Sequence, residues 1–165
     1  MRRGDRRIRL LLQVLEGAFT THGWQGTTLR GAIRGLGPRQ ALWRPGPRRH
    51  SIWELVLHAA YWKYVVRLRI EGRSGREPFP RTGRNFPRLP ERCDAKAWRA
   101  DVALLRRQHE LLARTVRRLP PSRLDAQVGK SRWSVAEVVF GVAAHDLYHT
   151  GQIQLLKALQ RRRAG

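Results

Sequence analysis

The 165-residue chain has one cysteine, Cys93. This excludes an intrachain disulfide and any cysteine-cluster metal site. Its neighbours Glu91, Arg92 and Asp94 predict an exposed loop, and nothing beside it points to a reactive thiol. No stretch reaches the roughly 18 consecutive apolar residues that a membrane-spanning helix needs. Acidic residues are few: Asp and Glu total 12 against 34 Lys and Arg, for a net charge of +22. Lysine is scarcer still, with only Lys63, Lys96, Lys130 and Lys157, so the charge is nearly all arginine. No segment alternates with the period of a strand. The sequence also lacks a serine–histidine–acid set, a P-loop and a dinucleotide fingerprint.

The apolar content is ordinary for a folded protein, and six tryptophans argue for a packed interior. The length suits one core, and residues 1–165 are read as one domain. The arginines are spread along the chain, apart from Arg161-Arg162-Arg163 near the C-terminus. A dispersed positive charge predicts weak, sequence-indifferent attraction to nucleic acid. A dedicated basic nucleic-acid-binding protein is the alternative reading, decided by where arginine gathers in space.

Four long helices are expected. The first spans Asp5 to His22, with Ile8, Leu11, Leu12, Leu15 and Phe19 at helical spacing. Arg9, Gln13 and Glu16 interrupt it, so it reads as a helix of a cytoplasmic protein and not as a secretory signal. A short helix over Leu29–Arg34 follows. Gly35–His50 is expected to be loop, because Gly37-Pro38, Pro45-Gly46 and Pro47 punctuate it. The second long helix begins at Ser51 with a capping box closed by Glu54 and runs to Glu71, where Gly72 stops it. A connection rich in proline and glycine, Arg73–Arg92, is long enough to be functional or to span the bundle. The third helix starts after Asp94, carries His109 on its apolar seam and ends before Pro120-Pro121. The fourth opens with the capping box Ser134–Glu137 and runs to about Gln160. The fold class is all-α, a four-helix bundle with long crossover connections.

The fourth helix carries the chemistry. Its seam reads Val135, Val138, Val142, His145, His149, Gln152, Leu156, Leu159. Two histidines at i and i+4 stand one above the other on one helix face, close enough to share one ion. Buried imidazoles cost stability unless something satisfies them, and a divalent metal would. His58, on an apolar face of the second long helix, offers a third nitrogen. Three histidines leave a coordination position open, as catalytic sites do. A lone histidine of this kind is more often a hydrogen-bonded core residue; three together favour the ion.

Ser51-Ile-Trp-Glu-Leu-Val-Leu-His58-Ala-Ala-Tyr-Trp62 resembles the second helix of the DinB family, and His145-Asp-Leu-Tyr-His149-Thr-Gly-Gln-Ile153 resembles its last. The resemblance runs from the first helix through Leu159. It implies a DinB/YfiT-type bundle with its metal on His58, His145 and His149. It further implies either a metal-dependent enzyme, of thiol-cofactor S-transferase or hydrolase type, or a catalytically silent member that keeps the site. Expected partners are zinc or nickel, a low-molecular-weight thiol, a small-molecule substrate and a second copy in a homodimer.

Glu54, Asp146 and Gln152 are candidates for orienting the ligands, and Trp62 for a pocket wall. His109 is expected in a hydrogen-bonded core role, away from the metal. His22 and His50, at segment ends, carry no assignment. Gly151, costly inside a helix, predicts a neighbouring helix packed closely against it.

Overall fold

The computed structural model describes residues 5–20 and 23–164 and is all-α. Four long helices, α1 (Arg6–Phe19), α4 (Ile52–Ile70), α5 (Ala95–Arg117) and α6 (Val135–Ala164), form the bundle. Two short helices, α2 (Leu29–Ile33) and α3 (Pro38–Leu42), and a single 3₁₀ turn at Pro121–Arg123 lie in the connections. Thr21 and His22, which close the expected first helix, lie outside the described residues. No helix among the described residues is long and apolar enough to cross a membrane.

Capping chemistry sets the boundaries. Asp5 accepts from the amides of Arg7 and Ile8 at the start of α1, and Asp94 accepts from Ala97 N–H at 2.8 Å at the start of α5. Ser51–Glu54 and Ser134–Glu137 close the two expected capping boxes. In each, the serine N–H donates to the glutamate at 2.7 Å. Caps of this kind stabilise a helix start by about 1 kcal/mol. Gly72 ends α4 at a φ of 66°, in the left-handed region that glycine enters without strain. The segment expected to be loop contains α3, because Pro38 occupies the first helical position and Gln40 reaches back to the Gly37 amide at 3.1 Å.

Helix α4 is the centre of the bundle. It is apolar nearly all round and buried against α3, α5 and α6. Helix α5 is amphipathic and turns its arginines outward. The apolar core has two parts. One gathers Trp53, Leu57, Trp98, Leu105 and Ile153; the other gathers Leu15, Val66, Leu112, Val116 and Val139. Between them sits a polar layer of Lys63, His109 and Asp146, all buried.

The tryptophans divide. Trp53 and Trp98 are core and meet edge-on at 5.1 Å, whereas Trp24 and Trp133 are exposed. Cys93 is half-buried, not exposed as expected, and its thiol donates to Pro90 O at 3.2 Å. Burial and the nearby Asp101 and Asp94 push that thiol up from its ordinary pKa, which disfavours the reactive thiolate.

Candidate metal centre

The buried stripe of α6 runs Val135, Val139, Val142, Asp146, His149, Ile153, Leu156. It is rotated slightly from the expected seam, so Asp146 sits at its centre and His145 at its half-buried edge. His149 is buried beside it, and His58 on α4 faces both. His58 Nε2 lies 2.9 Å from His145 Nε2, and His149 Nε2 lies 3.0 Å from the same atom. The three ligand atoms all fall within 4.8 Å of one another. Nitrogens that share an ion at about 2.0–2.1 Å lie roughly 3 Å apart, so the cluster fits the group its donor set suits.

The outer nitrogens explain why the inner ones are available. His58 Nδ1–H donates to the backbone carbonyl of Asn85 at 2.7 Å. His149 Nδ1–H donates to Gln152 Oε1, also at 2.7 Å. Each neutral ring then turns an unprotonated Nε2 inward. Two lone pairs converge on His145 Nε2, which brings at most one proton in the neutral ring. Burial and mutual repulsion keep the rings neutral: His58 is pushed down to about 4 and His145 to about 3, and burial also lowers His149.

Asn85 has the left-handed φ of 62°, uncommon outside glycine. Its backbone carbonyl holds His58, and its side-chain oxygen accepts from Trp62 Nε1 at 2.9 Å, one helical turn further along α4. Phe86 stacks on His58 with ring centroids 4.1 Å apart and on His50 at 3.8 Å. The Arg73–Arg92 connection is pinned over α4 to deliver this pair. Arg81 bonds the buried Asp101, and Tyr64 OH donates to Glu77 O. Phe79 packs on Tyr61 and Tyr64.

The other candidates fall out unevenly. Gln152 orients His149 as expected, and Trp62 lies 6.4 Å, centroid to centroid, from both His58 and His145. Glu54 does not reach His58: it closes the capping box and bonds Arg44 at 2.7 Å. Asp146 forms a fully buried ion pair with Lys63. His109 is away from the cluster, stacked 4.0 Å from Phe19, with Nε2 3.3 Å from Glu16. Its contact with Glu16 lacks good hydrogen-bond geometry, so the expected core location holds with weaker bonding than expected. Gly151 meets no neighbour: a Cβ added there would face open space.

Sequence reasoning missed Asn85, Phe86, His50, Tyr148 and Lys63. Tyr148, mostly exposed, lies 5.1 Å from the His149 ring and borders the cluster opposite the buried side. Its place one residue before His149 was the only signal for it.

Residues 23–153 match the family model of the DinB superfamily, and the chain belongs to that superfamily. No curated protein and no solved structure gave a significant match.

Proposed function

We propose that this member of the DinB superfamily holds one divalent metal ion, zinc or nickel, on His58, His145 and His149 and acts as a metal-dependent enzyme on a small molecule. The observation that carries the reading is the convergence of three neutral imidazoles, two of them with Nε2 left unprotonated by an outer hydrogen bond. A bound ion with an open position supplies Lewis-acid activation of a thiol or of water. Around it, Asn85 and Gln152 fix the ring orientation of two ligands, Phe86 shields His58 and Trp62 forms a wall. A thiol–cofactor transferase is the first choice and a hydrolase the second.

The test is a two-part screen of metal-loaded protein. One part uses low-molecular-weight thiols with a soft electrophile; the other uses ester and amide substrates without thiol. Thiol-dependent transfer lost in His145→Ala supports the first choice, and thiol-independent cleavage lost in the same variant supports the second. Turnover in neither part, by protein carrying its metal, would favour a silent member.

The same reading includes a homodimer through the outer face of α6. From Val138 to Leu156 the only charged residue is the buried Asp146. The exposed residues Phe140, Ala144, Tyr148, Gly151 and Leu155 form one uncharged stripe in a chain of net charge +22. A copy of equal charge is repelled less across such a face than across an arginine-rich one. In an antiparallel two-fold contact centred between Leu147 and Tyr148, Phe140 would meet the second copy's Leu155 and Ala144 its Gly151. Light scattering at high micromolar concentration should give twice the chain mass, and Tyr148→Arg should give the chain mass. A monomer in the wild type would remove the dimer.

A further inference from the structure

A second site lies at the other end of α4. Arg67 is nine residues beyond His58, about 13 Å along the axis and on the opposite helix face. It lines a cleft of about 740 Å³ between the C-terminal halves of α4 and α5. Arg67 is only 5% exposed, an unusual burial for a guanidinium. Its two terminal nitrogens are held by Glu71 at 3.0 Å and Glu77 at 2.6 Å, while its Nε–H has no acceptor. Arg73 shares Glu77 at 2.7 Å, and Thr115 donates to Glu71 at 2.5 Å.

The two carboxylates of the cleft are therefore consumed in holding its floor. Arg107, Arg114, Arg118 and Arg123 stand around the same cleft, all exposed and none in an ion pair with a described residue. Arg107 and Arg114 lie on α5 and Arg118 caps its C-terminal end, at spacings of seven and four, which places the three on one face. Arg123, in the 3₁₀ turn that follows Pro120, lines the cleft as well, and its terminal nitrogen donates to Ile70 O at 3.4 Å. Guanidinium groups around one cleft suit a compact anion with several oxygens, because each can donate two parallel bonds. A concave, bounded cleft favours such an anion over the long backbone of a nucleic acid.

We propose that this cleft binds a compact, multiply charged phosphate anion, with Arg114 and Arg118 as principal contacts and the Arg67–Glu71–Glu77 network as their support. The site is separate from the histidine cluster and does not depend on the function proposed for it.

The probe is inorganic tripolyphosphate, titrated calorimetrically into the chelator-treated full chain at physiological salt. Chelation keeps the histidine cluster free of any ion that phosphate could bind. One saturable site per chain is expected. Arg114→Glu with Arg118→Glu should weaken it by about tenfold or more, whereas the same charge change at Arg161 and Arg162 should leave it within about twofold. Both variants alter exposed residues, and circular dichroism would confirm the helices. Equal weakening by the two variants would mean diffuse charge and overturn the proposal. So would absence of binding at that salt. A duplex that binds more tightly than tripolyphosphate, through the same arginines, would also overturn it and make the cleft a nucleic-acid surface.

Discussion

Helices α4 and α6 meet at two polar places, and the contrast between them defines the molecule. At Lys63 and Asp146, side chains of opposite charge compensate each other in full burial. At His58, His145 and His149, neutral rings face one another with fewer protons than lone pairs. The first cluster is balanced in charge within the chain, although Asp146 Oδ1 has no hydrogen-bond partner among the described residues. The second has no charge partner among those residues, and its three nitrogens could hold a cation. Burial alone does not distinguish them; the pairing of opposite charges in one and its absence in the other does.

The largest expected effect lies in the charge-balanced cluster. Lys63→Ala strands the Asp146 carboxylate, and removing one member of a buried pair costs about 3–5 kcal/mol. The double change Lys63→Met, Asp146→Leu should cost far less, since no charge is left unpaired. Urea unfolding of both variants decides the point. A single Lys63→Ala variant as stable as the wild type would break the comparison.

The histidine cluster should respond to metal. Binding to the folded state alone adds about 2.7 kcal/mol at a hundredfold excess over the dissociation constant. Chelation should therefore lower the melting temperature of the wild type and leave His149→Ala unmoved. Equal melting shifts in both proteins would disconnect the histidines from the metal.

Acidity sharpens the same contrast. His58 at about 4, His145 at about 3 and His109 at about 4 lie below the ordinary histidine value of 6.5. Between about pH 6.5 and 4 the unfolded chain binds protons there and the folded chain does not. Stability of the chelated protein should fall as pH drops through this window, and His145 should carry the fall on to about pH 3. His109→Leu should make the fall shallower, because burial and nearby Lys63 hold that ring neutral while Glu16 pulls the other way. A slope unchanged by His109→Leu would show that this ring does not contribute.

The smallest effect concerns Asn85. Asn85→Gly keeps the carbonyl that holds His58 and accepts a φ of 62° freely, so metal affinity should change little. Asn85→Val strains that backbone and should weaken metal binding by about tenfold, the lower end for an outer hydrogen bond. Competition with a chromogenic chelator measures both. Equal affinities would mean that Asn85 does not position His58.

The sequence revealed what is local. Ser51–Glu54 and Ser134–Glu137 announce their helices, and the i, i+4 spacing of His145 and His149 needs only the helix period. What it concealed depends on partners far along the chain. Lys63 looks like a polar interruption until Asp146, 83 residues away, meets it. Asn85 is one polar residue among prolines and glycines until the connection folds over α4. The heptad seam drew the eye to His145 because a straight helix drifts about 20° per heptad from a seven-residue repeat. Over 30 residues that drift carried Asp146 into the core. Gly151 marks an open face, where neighbour packing had been the expectation.

The central claim is that the three histidines form a ready-made cation site. Equilibrium dialysis of the chelator-stripped, tag-free protein against zinc, followed by elemental analysis, addresses it directly. The account predicts about one ion per chain in the wild type and almost none in the His58/His145/His149 triple-alanine variant. Full occupancy in that variant, or an empty wild type, would contradict it.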